Sequence, residues 1–218
     1  VFDGAAKSLS PLDYQWEISK DTGKTWTDIN ESGLMFIGIG NAYRNSDYDG
    51  SPKFIELLAT KDIDDLENYR IYNYSNGNGI SSYHGQFSGS IKKGEKILIY
   101  FQRYSSFYYF FDNRHPSTSS GYAQVYDFSS LLSNGRQGGD DVFEIVYSKE
   151  DGVGGFDSNK DVVDVIGVRG EDGTGKDWEY YRGWLKRKPN KFSSKTFNVG
   201  DWITCKDCFR NSTGTGYA

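Results

Sequence analysis

The stretch that decides the fold is Lys96-Ile97-Leu98-Ile99-Tyr100-Phe101-Gln102, in which five apolar or aromatic residues lie between two polar ones. Successive side chains of a β-strand point to opposite faces of the sheet, so a strand with one buried face alternates apolar and polar residues. This run is apolar at both parities. It therefore predicts a central strand that is covered on both sides.

Further short runs that suit β-strands lie on both sides of this strand. Turns rich in Gly, Asn, Asp and Ser separate the runs, which is typical of a sandwich or a barrel. Helical periodicity is weak, and only Ala123–Ser133 is a candidate for one short helix. The other predicted strands are Leu34–Ile39, Phe54–Leu58, Tyr69–Tyr74, Gly85–Ile91, Val142–Tyr147 and Val162–Val168.

The composition of the 218-residue chain also favours an all-β fold. Its 17 Tyr and 14 Phe suit half-buried pleated surfaces, and 26 Gly against 4 Pro suit many tight turns. The length is sufficient for one large sandwich together with a small additional unit.

The net charge of −5 argues against a protein that wraps nucleic acid, because such binding depends on many Lys and Arg contacts to phosphate. No apolar run approaches the ~20 residues that cross a bilayer. We therefore expect neither a nucleic-acid partner for this domain alone nor a membrane span. Because the sequence begins at Val1, we expect a processed product or a fragment.

The N-terminal segment predicts a β-hairpin. Tyr14–Ser19 and Thr25–Ile29 read as strands on either side of Asp21-Thr22-Gly23-Lys24, where glycine permits the positive φ of a tight turn. The segment resembles a hairpin of bacterial Ig-like repeats. We expect residues 1–33 to be this hairpin and its linker.

From Leu34 onward, a series of motifs follows in a characteristic order. The most distinctive are Asp62-Ile63-Asp64-Asp65-Leu66-Glu67-Asn68-Tyr69 and Asp172-Gly173-Thr174-Gly175-Lys176-Asp177-Trp178. The series resembles the lamin tail domain as found in secreted bacterial proteins. The remaining motifs are Pro52–Leu57, Phe87–Ile91, Lys93–Glu95, Gly139–Ile145, Val162–Gly167, Gly183–Lys188 and Thr196–Trp202.

This resemblance implies an Ig-like β-sandwich over residues 34–204, with a C-terminal tail over residues 205–218. It also implies a secreted or cell-surface location and a non-catalytic role in binding, surface attachment or self-assembly, with a protein partner or further copies of the chain. One alternative is an accessory domain of a secreted nuclease or phosphoesterase. The other is a carbohydrate-binding module that uses Tyr and Trp side chains as stacking surfaces.

The aromatic insertion Tyr100–Phe111 departs from the family pattern and predicts a long aromatic loop, and its continuation Tyr104–Phe111 is very aromatic. Its side chains are interpreted either as core and cross-strand packing or as an exposed platform for a carbohydrate or a partner protein. The sequence leaves both interpretations open.

The segment Asn45-Ser46-Asp47-Tyr48-Asp49-Gly50 nearly matches a twelve-residue calcium loop. Gly50 permits the sharp turn that brings the oxygens together, and Glu56 has the spacing to close the shell. The alternative is a hairpin turn rich in Asn and Asp. Calcium is the one cofactor that the sequence suggests, and the candidate ligands are Asn45, Asp47, Asp49, Ser51 and Glu56.

The two cysteines, Cys205 and Cys208, lie in Cys-Lys-Asp-Cys near the end of the sequence. A structural zinc site needs four ligands, and there is no second cysteine pair. A thioredoxin-like site needs a βαβ setting, which the pattern lacks. A local disulfide and two free thiols remain the two interpretations.

The sequence contains no coherent catalytic constellation. Gly170–Asp177 is close to a phosphate-binding loop, but Asp177 stands where that motif needs Ser or Thr. His84 and His115, the two histidines, lie in turn-like segments. We therefore predict that the chain is not an enzyme. Its buried charges are expected to form a structural ion-pair network of Asp141, Glu144, Asp164 and Arg187.

Overall fold

The computed structural model describes residues 17–18, 27–28, 33–41, 53–77, 84–100, 121–128, 139–147 and 162–208. Contacts within the chain divide it into two compact units, Val1–Glu31 and Ser32–Ala218. In the first unit, strand β1 (Glu17–Ile18) pairs antiparallel with strand β2 (Thr27–Asp28). Both strands lie inside the ranges predicted for the hairpin.

The second unit is built from β-strands and short 3-10 turns, and none of its described residues lies in an α-helix. The all-β prediction is therefore confirmed for the described part of the chain. The strands are β3 (Leu34–Asn41), β4 (Lys53–Ala59), β5 (Tyr69–Tyr74), β6 (His84–Gln86), β7 (Lys96–Tyr100), β8 (Gln124–Asp127), β9 (Val142–Tyr147), β10 (Val162–Ile166), β11 (Gly183–Arg187) and β12 (Trp202–Cys205).

These strands form two sheets. One has the order β10-β9-β5-β6, and the other has the order β12-β11-β3-β4-β7-β8. Neighbouring strands are antiparallel except for β7 and β8, which are parallel. Several consecutive strands, such as β4 and β5, lie in different sheets. The chain therefore passes repeatedly from one sheet to the other.

One buried cluster joins the two sheets. Alternate residues of β4 and β7 point into it from the six-stranded sheet, and alternate residues of β5 and β9 from the four-stranded sheet. Burying one such side chain contributes about 1.5–3 kcal/mol. The shared core gives the unit a sandwich-like character. Its members include Ile55, Leu57, Ile97, Ile99, Ile71, Phe143, Ile145 and Ile166.

The central strand behaves as its sequence predicts. Ile97 and Ile99 are fully buried in the shared core, and Leu98, which points to the other face, is only 2% exposed. β7 also has a neighbour on each side, β4 and β8. The prediction of a strand covered on both faces is confirmed.

The helix predicted over Ala123–Ser133 is wrong for the residues that the structure describes. Gln124–Asp127 forms β8, which pairs with β7 from Ile97↔Gln124 to Tyr100↔Asp127. Tyr126 packs against the core while Val125 is 40% exposed, which is the alternation of a strand. Pairing with a distant strand overrides the local sequence preference.

A smaller cluster lies on the outer face of the four-stranded sheet. Trp178, from the loop that precedes β11, packs there with Phe197 at a ring-centroid distance of 5.9 Å. The loop therefore covers apolar side chains that would otherwise face water. The buried members of the cluster are Tyr74, Val142, Val146, Val162, Val165 and Trp178.

Candidate functional site: a lysine-rimmed groove

Basic residues are concentrated in one short segment of this acidic chain. Lys186–Lys195 contains five basic residues and no acidic one, whereas the whole chain has a net charge of −5. The segment begins in β11 and continues through the turn that follows it. A local positive potential is therefore expected on this side of the molecule.

The structure places a groove of about 330 Å³ beside this segment. In the six-stranded sheet, Lys186 lies opposite Ile203 of β12 and Gly38 of β3. Directly opposed residues share a face, and Lys186 alternates with the core residue Leu185, so this is the outer face of the sheet. The groove is lined by Met35, Ile37, Lys186, Arg187, Lys188, Pro189, Asn190, Lys191 and Ile203, and we call it the lysine-rimmed groove.

The lining combines exposed apolar surface with lysine ammonium groups. Ile203 is 44% exposed, and Ile37 is partly exposed. Lys186 is exposed and has no acidic partner among the described residues. An apolar floor with a cationic rim suits a ligand that carries both apolar and negatively charged groups.

The other two lysines are held in place by their own contacts. Lys188 Nζ donates a hydrogen bond of 2.8 Å to the carbonyl of Gly200. Lys191 Nζ lies 2.7 Å from Asp201 Oδ1. The first contact is with a neutral group, and no acidic residue in the described part of the chain pairs with Lys188, whereas Asp201 partly compensates the charge of Lys191.

Arg187 anchors the wall of the groove from inside the protein. Its Nε donates to the carbonyl of Phe36 at 2.6 Å, and its NH2 nitrogen lies 2.6 Å from Asp164 Oδ2. Its guanidinium also stacks over the Trp202 ring at 4.4 Å from the centroid. These contacts fix β11, β3 and β12 against one another, so the groove is preformed.

The turn after β11 is shaped by its own backbone. Asn190 has a φ of 60°, a left-handed conformation that asparagine tolerates better than most residues. The Lys188 amide donates to the Asp201 carbonyl at 2.9 Å. The sequence prediction missed this groove, and the signal that could have found it is the basic segment itself.

Comparison with models of known protein families, with curated proteins and with solved structures finds no match. The described residues contain no helix that is both long and apolar enough to cross a membrane.

The predicted calcium ligands Asn45, Asp47, Asp49 and Ser51 lie outside the described residues. Glu56, the fifth, lies in β4, where its Oε1 accepts a hydrogen bond from the hydroxyl of Tyr122. Among the described residues, no group of three or more His, Cys, Asp or Glu side chains could hold a metal ion. The calcium loop therefore stays a prediction.

Cys205 ends β12, and Cys208 follows in the next turn. The structure pairs the two sulfurs as a disulfide, and their Cα atoms are 5.7 Å apart, a separation that a disulfide spans. The bridge closes a short loop directly after the edge strand β12, next to the lysine-rimmed groove.

The four residues predicted to form one ion-pair network are buried, but they lie in separate places. Asp164 pairs with Arg187, whereas Glu144 pairs with Arg169 at 2.7 Å. Glu144 lies opposite Val165, so Asp164 points to the other face of the sheet. Asp141 lies before β9 and accepts a hydrogen bond from the Asn76 amide.

Burial affects the charge of both acidic groups that pair with arginine. Desolvation raises the pKa of Glu144, and the Arg169 guanidinium and a hydrogen bond from Tyr74 oppose that shift. Desolvation likewise raises the pKa of Asp164 to about 6, against the effect of Arg187. Each arginine therefore favours the ionised form of the buried carboxylate that it contacts.

The remaining candidates are the glycine-rich segment, the two histidines and the aromatic segment. In the glycine-rich segment, Asp172 Oδ1 accepts a hydrogen bond of 2.9 Å from the Thr174 amide, and turns rather than a helix follow. His84 begins β6, whereas His115 and Tyr104–Phe111 lie outside the described residues. Every described Tyr and Trp whose burial is known is at least partly buried. Among the aromatic residues of the described part of the chain, Phe192 is exposed, at 39%.

Proposed function

We propose that this chain is a non-catalytic module of the lamin-tail type, with an Ig-like sandwich, that belongs to a secreted or cell-surface protein. We propose further that it binds an extended acidic segment of a partner protein in the lysine-rimmed groove. The observation that carries this proposal is the combination of an apolar floor and a cationic rim on the outer face of the six-stranded sheet.

The charges of the groove favour an acidic partner. Lys186 and Lys188 lie on the rim without an acidic partner among the residues that the structure describes, and the chain as a whole is acidic. A net-acidic surface repels an acidic segment on the whole, so a local cationic rim gives orientation as well as affinity. A basic or neutral segment would gain nothing from the rim.

The shape of the site favours an extended polypeptide. Within the described part of the chain, β12 is the last strand of its sheet, and it borders the groove through Ile203. Edge strands present hydrogen-bonding groups to which an extended segment can add, and alternate side chains of that segment then enter pockets on one face. Ile203, Met35 and Ile37 supply such an apolar surface.

A direct binding measurement tests the proposal. The probe is a fluorescein-labelled peptide in which Glu alternates with Val, and the titration is followed by fluorescence anisotropy at low and at physiological salt. We expect saturable binding that weakens with added salt, because exposed charges about 10 Å apart are largely screened at 0.1 M. A peptide in which Lys replaces Glu serves as the negative probe.

Matched charge reversals locate the site. Lys186→Glu with Lys188→Glu is expected to weaken binding at least ~10-fold, which corresponds to about 1.4 kcal/mol. Lys92→Glu with Lys93→Glu changes the net charge equally at two exposed lysines that do not line the groove and is expected to leave binding unchanged. Equal loss in both variants, or no binding of the acidic peptide, contradicts the proposal. Tighter binding of an acidic polysaccharide than of the peptide would replace the protein partner by a glycan.

A further inference from the structure

Exposed apolar side chains are concentrated around the lysine-rimmed groove. In the described part of the chain, three of the four large apolar side chains that are exposed are Ile203, Phe192 and Val199, at 44%, 39% and 36%. Ile203 lines the groove, and Phe192 directly follows the lining residue Lys191. Val199 precedes Gly200, whose carbonyl accepts a hydrogen bond from the rim. Apolar side chains gathered in one place mark an interaction surface.

This surface also carries the rim lysines that have no acidic partner among the described residues. It therefore combines positive charge with apolar area, and a partner must supply negative charge to match it. We call it the basic apolar surface, and its members are Lys186, Lys188, Phe192, Val199 and Ile203.

The loop before β11 carries the opposite charge, and we call Glu171–Asp177 the acidic loop. Its three acidic residues are exposed, and Glu171 pairs with Lys176 at 3.2 Å. Neither Asp172 nor Asp177 forms an ion pair with a residue that the structure describes. Hydrogen bonds from the backbone and side chain of Thr174 lower the pKa of Asp172, so this carboxylate keeps its charge near neutral pH.

The acidic loop is fixed by contacts with two other segments. The Gly173 amide donates to the Asp140 carbonyl at 3.1 Å, and the Thr174 hydroxyl donates to Asp140 Oδ2 at 2.9 Å. Gly77 packs so closely on Glu171 that an added methyl group would collide with its backbone. Because the loop is already ordered, its carboxylates can bind a partner with little further loss of conformational freedom.

The acidic loop and the basic apolar surface lie on either side of β11 in the chain. The loop ends at Asp177, shortly before β11 begins at Gly183, and β11 ends at Arg187, directly before Lys188. Among the described residues, no ion pair joins an acid of the loop to a lysine of the surface. Within one copy of the chain, the two sets of charges therefore do not pair with each other.

We propose that the basic apolar surface of one copy of the chain binds the acidic loop of another copy. This inference rests on the proposed function, because it uses the same rim, and it names the chain itself as the acidic partner. Charge complementarity carries it, since each surface supplies the charge that the other needs. The contact joins two unlike surfaces, so a bound pair keeps one of each kind and can add further copies.

Sedimentation velocity of the full chain tests the proposal. The wild-type protein is measured over a series of concentrations at about 0.01 M and about 1 M salt, where the Debye length is about 30 Å and about 3 Å. We expect the average mass to rise with protein concentration at low salt. At high salt we expect it to fall toward the mass of one chain, because the charges are then screened.

Two charge-reversed variants locate the contact. Lys186→Glu with Lys188→Glu removes the basic side, and Asp172→Lys with Asp177→Lys removes the acidic side. Each variant alone is expected to associate at least ~10-fold more weakly than the wild type. An equimolar mixture is expected to recover association, because the intact loop of the first variant meets the intact surface of the second.

A matched control changes two acids outside the acidic loop. Asp64→Lys with Glu67→Lys alters the net charge equally at exposed residues and is expected to associate like the wild type. Asp177→Lys alone is the second acidic-side variant, because this exposed side chain makes no hydrogen bond or ion pair with a described residue. It guards against damage to the loop from the change at Asp172 and is also expected to weaken association.

The outcomes separate this inference from the proposed function. A wild-type protein that stays monomeric at low salt, association that survives both reversals, or a mixture that fails to recover it overturns the inference. If that monomeric protein still binds the peptide of alternating Glu and Val, the proposed function stands while the self-association fails.

Discussion

The guanidinium of Arg187 lies 2.6 Å from the carboxylate of Asp164, and the two side chains are 4% and 1% exposed. Arg187 belongs to the six-stranded sheet and Asp164 to the four-stranded sheet, so this ion pair joins the sheets through the core. The amides of Phe36 and Ser194 also donate to Asp164, at 2.8 and 3.0 Å. The buried carboxylate is thus satisfied from several elements at once.

Removing one partner of this pair is expected to be costly. Arg187→Met leaves a buried carboxylate without its cation, which typically costs about 3–5 kcal/mol of unfolding free energy. Urea unfolding measures the change. Combining Arg187→Met with Asp164→Leu removes both charges and is expected to recover much of the loss.

The control for this prediction is an exposed ion pair. Lys92 lies 3.1 Å from Asp62, with side chains that are 62% and 57% exposed. Lys92→Met is expected to change the unfolding free energy too little to resolve, because water and salt screen such pairs. A loss in Lys92→Met as large as that in Arg187→Met would contradict the argument from burial.

The stability of the protein is expected to depend on pH through Asp164. Burial raises the pKa of this carboxyl from its ordinary value of 3.8 to about 6. Between those values the folded state holds more protons than the unfolded state, so the unfolding free energy falls as pH rises through that window. Asp164→Asn cannot titrate and is expected to lack this part of the slope. Urea unfolding across the window compares the two proteins, and equal slopes would refute the prediction.

Gly77 and Gly94 both have a positive φ, but only at Gly77 would an added side chain also lack space. Gly77 has φ 67°, and a methyl group there would collide with the backbone of Glu171. Gly94 has φ 84° and no atom within 4 Å of such a methyl group. Gly94→Ala is expected to cost about 1–2 kcal/mol from backbone strain alone. Gly77→Ala adds a clash worth about 1–3 kcal/mol. Thermal unfolding ranks the two variants, and the reverse order would show that the contact between these loops is unimportant.

The Cys205–Cys208 bridge closes a loop with a sequence separation of only 3. Because loop entropy grows with loop length, such a short loop is expected to contribute about 2 kcal/mol, well below the ~4.7 kcal/mol of a 100-residue loop. Cys205→Ser with Cys208→Ser is the variant, measured by denaturant unfolding. Thiol labelling of the unreduced wild-type protein checks the bridge itself, and two reactive thiols would exclude it.

The strands could be predicted from local patterns where one face or both faces are apolar. Ile97, Leu98 and Ile99 carry the signal of a doubly covered strand, and they are buried as expected. Val142–Tyr147 and Tyr69–Tyr74 are also strands over the full predicted ranges. In these strands, burial of one or both faces determines the spacing of the apolar residues and the types of residue. The local sequence is therefore sufficient to predict them.

Features that depend on distant partners could not be predicted in this way. Gln124–Asp127 is a strand because β7 pairs with it, and no local pattern reports that pairing. The partner of Glu144 is Arg169, and no motif in the sequence marks that arginine. The lysine-rimmed groove exists because Ile203 and Lys186, on separate strands, are neighbours in the sheet. Strand order determines all three relationships.

The parallel contact between β7 and β8 has a consequence for the order of folding. Antiparallel neighbours such as β3 and β4 can be joined by a local hairpin, but a parallel neighbour requires the chain to cross back before it pairs. Non-local pairings of this kind form slowly, since the chain must be closed before contacts stabilise it. We therefore expect β8 to add to a sheet that is already assembled. As an outer strand that forms late, it is also where the backbone amides of the sheet should exchange with solvent first.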